Sequence, residues 1–213
     1  MRFERLLTLI GHLAFFDLPM LVQLAGGSRA SLRTQLYRWG RQGKVIPLRR
    51  GAYVLAAPYR RVEAHPATLA NQIYRPSYLS FQWALGYYGL IPERAVVYTS
   101  ATTRVPRRFE NALGRFRYIH VKMEAFFGYR SVRMGAHSVL VASPEKALLD
   151  LWHLEKGAWS ADRMAEMRFQ NPELVDSARL LESARRFRSP RLIRAARAWR
   201  AFVKSETEGE VAL

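Results

Sequence analysis

The stretch SRASLRTQLYRWGRQGKVIPLRRGAYVL, Ser28 to Leu55, constrains the fold more than any other part of the chain. Ser28 is a helix N-cap by type, and Leu32, Leu36 and Trp39 then fall on one stripe at helical spacing. The opposite side carries Arg33, Thr34, Tyr37, Arg38 and Arg41, with no acid among them. After Gly43, Val45 to Leu48 and Ala52 to Leu55 are two short extended runs joined through Arg49-Arg50-Gly51, a hairpin signal. A one-sided helix needs a partner for its apolar stripe, and a two-stranded hairpin is not stable alone.

The preceding residues supply that partner. Phe3, Leu6, Leu7, Ile10 and Leu13 recur at helical spacing, which predicts a first helix over residues 2–13. Phe15-Phe16 make a staple-like apolar step, and Asp17 caps a second helix with Pro19 in its first turn. Leu21, Val22, Leu24 and Ala25 form its buried side, and Gly26-Gly27 end it. Helix, Gly-Gly and helix are the short connection of a helix-turn-helix, and the basic hairpin adds a wing. The expectation for residues 1–58 is therefore a winged helix-turn-helix. Its third helix would enter a DNA major groove, and its hairpin would grip the flanking backbone.

Charge supports a polyanionic partner. The chain carries +17, from 34 basic and 17 acidic residues. Residues 1–62 hold 11 basic residues against two acids, Glu4 and Asp17, so the excess is greatest in this head. Arg33, Arg38 and Arg41 can fork onto guanine or bind phosphate, while Thr34 and Tyr37 can touch base edges or backbone. Ser28 and Ser31 sit at the helix N-terminus, where backbone N–H groups favour phosphate. Lys44, Arg49 and Arg50 on the hairpin are backbone or minor-groove candidates. Arg104, Arg107 and Arg108, beside Thr102 and Thr103, form a second candidate nucleic-acid patch in an expected loop. Arg191, Arg194, Arg197 and Arg200 recur at steps of three on a final amphipathic helix reaching about Lys204, and the closing SETEGEVAL reads as a frayed polar tail.

Beyond a linker over residues 58–66, the pattern alternates between helix and strand. Helices are predicted over Ala67 to Ile73 and Phe81 to Tyr88. Strands are predicted over Ala95 to Thr99, Phe116 to Val121 and Val139 to Val141, with the Ser/Thr run after Thr99 as a turn or polar edge. Ser143-Pro144-Glu145 starts a helix with cap, first-turn proline and acid. Ser160, Asn171-Pro172 and Ser189-Pro190 start helical segments of a C-terminal extension. The fold class is α+β: the winged head over 1–58, a mixed α/β domain over 66–157 and helices over 158–205.

Other chemistry is weak. There is no cysteine, so no disulfide and no thiolate metal site. Ser143-x-x-Lys146 matches an acyl-enzyme nucleophile pair, but the Ser-Asp-Asn and Lys-Thr-Gly partners of that motif are missing and capping explains the serine. Gly26-Gly27-Ser28 could open a nucleotidyltransferase motif, yet no Asp-x-Asp exists to hold Mg²⁺, and Glu206-x-Glu208 lies in the expected tail. The histidines at 12, 65, 120, 137 and 153 show no zinc spacing, and His120 reads as a satisfied core residue. No cofactor or metal is expected, and no enzyme activity. No run of about 18 apolar residues marks a membrane span. Arg2 and Arg5 precede an apolar run, but Glu4, His12 and Asp17 break a signal-peptide pattern. A cytoplasmic location is expected.

The head, the linker and YLSFQWALGYYGLIPERAVVYTSA together resemble the AbiEi-type antitoxin and transcriptional regulator family of type IV toxin–antitoxin and phage abortive-infection systems. The matching features are RRGAY in the hairpin, Leu79-Ser80, Ala84-Leu85, Gly89-Leu90, Phe116-x-Tyr118 with Ile119-His120, and the run from Ala142 to Asp150. The resemblance covers roughly residues 5–155, and Ser-Pro-Glu-Lys-Ala-Leu-Leu-Asp is its sharpest part. It implies repression of the chain's own operon at inverted repeats in double-stranded DNA. It also implies a second domain that counters a nucleotidyltransferase-like toxin without forming a stable complex with it. The alternatives are an RNA-binding module and a protein that reverses the toxin's product through its C-terminal domain.

Overall fold

The computed structural model describes the backbone of residues 1–211 and the side chains of residues 1–205. The described residues form nine α-helices and two β-sheets, a mixed α+β architecture. The N-terminal part contains α1 (Phe3–Ile10), β1 (Phe16–Asp17), α2 (Leu18–Ala25), α3 (Arg29–Arg41), β2 (Val45–Arg49) and β3 (Ala52–Leu55). Phe3, Leu6, Ile10, Leu18, Leu21, Leu32, Leu36 and Trp39 bury their side chains together, so each helix turns its apolar stripe to the other two. Phe3 meets Trp39 edge-on at 5.4 Å between ring centroids and Tyr59 at 5.0 Å.

Asp17 and Ser28 cap α2 and α3 as expected, accepting from the N–H groups of Met20 and Ser31. Between these helices Gly26 and Gly27 take φ of +66° and +89°, where a side chain would be strained. Two details differ from expectation. Helix α1 stops at Ile10, short of residue 13. Phe16 buries its ring in the same cluster as Leu21, and with Asp17 it also forms an unexpected strand against Tyr53 and Ala52, giving the sheet order β1-β3-β2. A two-residue strand is too short to show any period in a sequence.

The larger sheet has the order β6-β7-β5-β4-β9-β8. Its strands are β4 (Ser77–Leu79), β5 (Val97–Thr102), β6 (Arg107–Asn111), β7 (Gly114–His120), β8 (Tyr129–Met134) and β9 (His137–Ala142). β5 runs parallel to β7 and β4 parallel to β9, while the remaining pairs are antiparallel. Successive residues of β4 point to opposite faces. The Ser77 hydroxyl reaches Ala70 of α4 (Pro66–Ile73), and Tyr78 reaches Asp150 of α6 (Pro144–Leu154), so those helices cover opposite faces. α5 (Phe81–Tyr87) packs on β5 and α6.

The Ser/Thr run after Thr99 continues a strand and is not the expected turn or polar edge. Ser100, Ala101 and Thr102 are the last three residues of β5, fully buried between β4 and β7. The Thr102 hydroxyl is satisfied by donating to the Pro76 carbonyl at 2.7 Å.

After α6 come α7 (Ala161–Glu166), α8 (Ser177–Arg186) and α9 (Pro190–Val211), which passes the expected end near Lys204. The side chains of the expected tail from Glu206 on, including Glu208, lie outside the described residues. Trp159, Met164, Leu180, Leu192, Trp199 and Phe202 belong to the same apolar core as the larger sheet. Leu48 and Val54 of the hairpin join it too, so the hairpin packs on both cores' border. Among the described residues no helix is long and apolar enough to cross a membrane.

Candidate nucleic-acid interface

Burial of Leu32, Leu36 and Trp39 fixes the rotation of α3 and therefore what it presents outward. Arg33, Thr34, Tyr37, Arg38 and Arg41 are all exposed, and Tyr37 keeps 68% of its surface. No ion pair involves Arg33, Arg38 or Arg41 among the described residues. Ser28 accepts from the Ser31 N–H at 3.2 Å, and the Ser31 hydroxyl accepts from Gln35 at 3.2 Å. Thr34 donates to the Ala30 carbonyl. These hydroxyls are engaged within the helix, whereas the arginines are not.

A groove of about 410 Å³ lies between α3 and the β2–β3 hairpin. Leu36, Val45, Pro47 and Tyr53 give it apolar walls, and Arg33, Tyr37, Arg41, Arg49 and Arg50 line it as well. Sequence reading missed Pro47 and Tyr53, which reach the groove only through hairpin pairing, Pro47 opposite Tyr53. Ser28, Ser31, Thr34, Arg38 and Lys44 do not line it. Lys44 instead holds its ammonium 4.9 Å from the Phe3 ring of α1. Arg49 donates Nε to the Ile73 carbonyl at the end of α4 and Nη1 to Arg50 O at 2.9 Å. Asn111 of β6 donates to Leu48 O at 3.2 Å. The hairpin tip is thus fastened to the larger sheet, and Arg50 is its exposed cation.

The second basic patch lies differently from its expectation. Arg107 and Arg108 are on edge strand β6, not in a loop. Antiparallel pairing sets Arg108 directly opposite Arg117 of β7 and Glu110 opposite Arg115. Arg104 leans on the Tyr74 ring at 4.4 Å and donates to Arg75 O at 3.2 Å. Arg115 and Arg117 were missed because only the register of β6 on β7 brings them to Arg108. His120, expected in the core, is exposed at the end of β7, with Nδ1 3.1 Å from Arg104 O. His120 shares the covered face of Phe116 and Tyr118 but is the last residue of the strand, so a strand position alone does not bury it.

The Ser143–Asp150 run starts α6, and its polar groups are consumed by structure. Ser143 Oγ accepts from the Lys146 N–H and donates to Glu145 at 2.7 Å. Glu145 also accepts from the N–H of Asp176, the cap residue of α8, at 3.1 Å. Lys146 and Asp150 form an ion pair at 1% and 0% exposure. Asp150 further accepts from Tyr78 at 3.0 Å and Ser80 at 2.7 Å. The rings of Phe187, Phe127 and Tyr78 surround the ammonium at 4.7, 5.2 and 5.5 Å. Burial pushes the lysine below its ordinary pKa against the pull of Asp150. Burial, then Asp150, pushes the Tyr78 phenol far above its own. Ser143 Oγ thus faces Glu145, while the Lys146 ammonium is committed to Asp150, which is a cap and not a nucleophile pair.

The cationic stripe of α9 divides. Arg191 turns inward to the carbonyls of Trp152 and Glu155 at 2.7 and 2.9 Å, closing the C-terminus of α6, whereas Arg194, Arg197 and Arg200 are exposed. Among the described residues no group of three His, Asp or Glu side chains is placed to hold a metal ion. No family model matches the chain, and no curated protein matches it.

Proposed function

We propose that the chain is a sequence-specific DNA-binding protein, with α3 as recognition helix and the β2–β3 hairpin as wing of a winged helix-turn-helix. One observation carries this reading. The outward face of α3 presents Arg33, Arg38 and Arg41 with no carboxylate partner among the described residues, beside a hairpin whose tip exposes Arg50. Cations left unpaired on one face of an acid-poor head suit phosphate neutralisation and base-edge contacts. Measuring anisotropy of labelled DNA from upstream of the coding sequence tests it. The Arg33→Ala, Arg38→Ala, Arg41→Ala triple variant should lose binding while keeping its melting temperature. Unchanged binding by the folded variant sinks the assignment.

The resemblance to AbiEi-type regulators extends the proposal to an antitoxin that represses a type IV toxin–antitoxin operon from the cytoplasm. It would counter a nucleotidyltransferase-like toxin without stable contact. Co-expression with a toxin encoded beside it should restore growth; persistent arrest would remove this half of the proposal. A second reading is RNA binding by the β6–β7 ribbon, favoured by Arg108 facing Arg117, a like-charge pair that is unfavourable without a counterion. If structured RNA competes with the upstream DNA at equal concentration, that reading gains over the first.

A further inference from the structure

We propose that the cleft between the N-terminal head and the larger sheet binds a small phosphate-bearing ligand of nucleotide size. The cleft holds about 390 Å³, within the range of small-molecule sites. It lies apart from the α3 groove, sharing only Arg49 with it. The inference does not depend on the DNA-binding reading.

Three arginines from three parts of the chain line this space: Arg49 of the hairpin, Arg75 after α4 and Arg104 after β5. Arg49 and Arg104 are oriented by carbonyl acceptors, Ile73 O and Arg75 O, which steer a guanidinium without neutralising it. Arg75 is exposed and makes no side-chain bond among the described residues. The one acid in the lining, Asp17, is occupied as the cap of α2, accepting from Met20 N–H at 2.9 Å, and pairs with none of them. Positive charge is therefore in excess, and guanidinium forks match phosphate oxygens two at a time.

A buried polar atom gives the second, independent observation. Thr68 lines the cleft at 8% exposure, and its hydroxyl is buried without a hydrogen-bond partner. Such orphans are rare and costly, and a ligand oxygen would satisfy this one. Phe15 and Met20 on the head side offer an apolar wall, which favours a nucleoside over a bare inorganic anion.

Calorimetric titration of the full chain with ATP, GTP and inorganic pyrophosphate tests the site. One saturable site is expected for a nucleotide, with weaker binding of pyrophosphate. Arg75→Ala should weaken it at least tenfold, and Arg94→Ala, an exposed arginine outside the cleft, should leave it unchanged. Thr68→Val should also weaken binding while melting no lower than the wild type without ligand, since it removes an unpaired hydroxyl. Failure of every probe to saturate overturns the proposal, as does equal loss in the Arg75 and Arg94 variants. A Thr68→Val protein that melts lower overturns the hydroxyl's role. Loss of DNA binding by Arg75→Ala with no small-molecule site assigns the cleft to the nucleic-acid backbone and overturns it too.

Discussion

Lys146 and Asp150 show how differently one residue pair reads in sequence and in space. A lysine and an aspartate four apart on a helix ordinarily form a solvated surface pair of small value. Here both are buried, because the β4 residue Tyr78, Ser80 and the rings of Phe127 and Phe187 close over them. Removing one partner strands a charge in the interior, so Lys146→Met should cost about 3–5 kcal/mol in denaturant unfolding. Adding Asp150→Leu should recover only part of that, because Tyr78 and Ser80 then lose their acceptor. Full additivity of the two substitutions would contradict the coupling. The caps were legible from Ser143, Pro144 and Glu145 alone, since capping is local. The burial was not, because it depends on strands and loops distant in sequence.

Helix ends carry predictions of their own. Arg191 supplies donors to the last carbonyls of α6 from another helix, so Arg191→Ala should destabilise the fold by about 1–3 kcal/mol. Its place in the expected cationic stripe gave no hint of this. Asp176 caps α8, and the N–H groups of Arg179 and Ala178 hold its pKa below the ordinary 3.8. A depressed carboxyl stabilises the fold above that value, and the contribution is lost as pH falls through the folded value. The melting-temperature gap between wild type and Asp176→Asn should therefore close below pH 3.8. The three N-terminal helices and the hairpin were readable because α1 and α3 have a clear period, Asp17 and Ser28 cap α2 and α3, and glycines end or turn the segments. Strands β6 and β8 were not, since RRFEN and YRSVRM are edge strands with charge on exposed faces and no clean alternation. β4 is too short and too buried to alternate at all.

The whole molecule joins two apolar cores through the hairpin. Leu48 and Val54 pack into the larger one, and Arg49 and Asn111 tie the hairpin to Ile73 and β6. Arg49→Ala with Asn111→Ala should broaden or split the calorimetric unfolding transition; one unchanged sharp transition would show that these bonds do not couple the parts. A fastened hairpin also means that α3 is held at a set attitude to the larger sheet, which suits a reader of fixed geometry. The most direct measurement is the salt dependence of affinity for upstream DNA, in the wild type and in single alanine variants at Arg33, Arg38 and Arg41. If α3 lies on DNA, log affinity falls linearly with log salt, and each lost phosphate contact lowers the slope by about 0.9. A variant that instead keeps the slope but loses preference for the upstream sequence identifies a base-reading arginine. Equal slopes and equal sequence preference in all four proteins would contradict the assignment of α3.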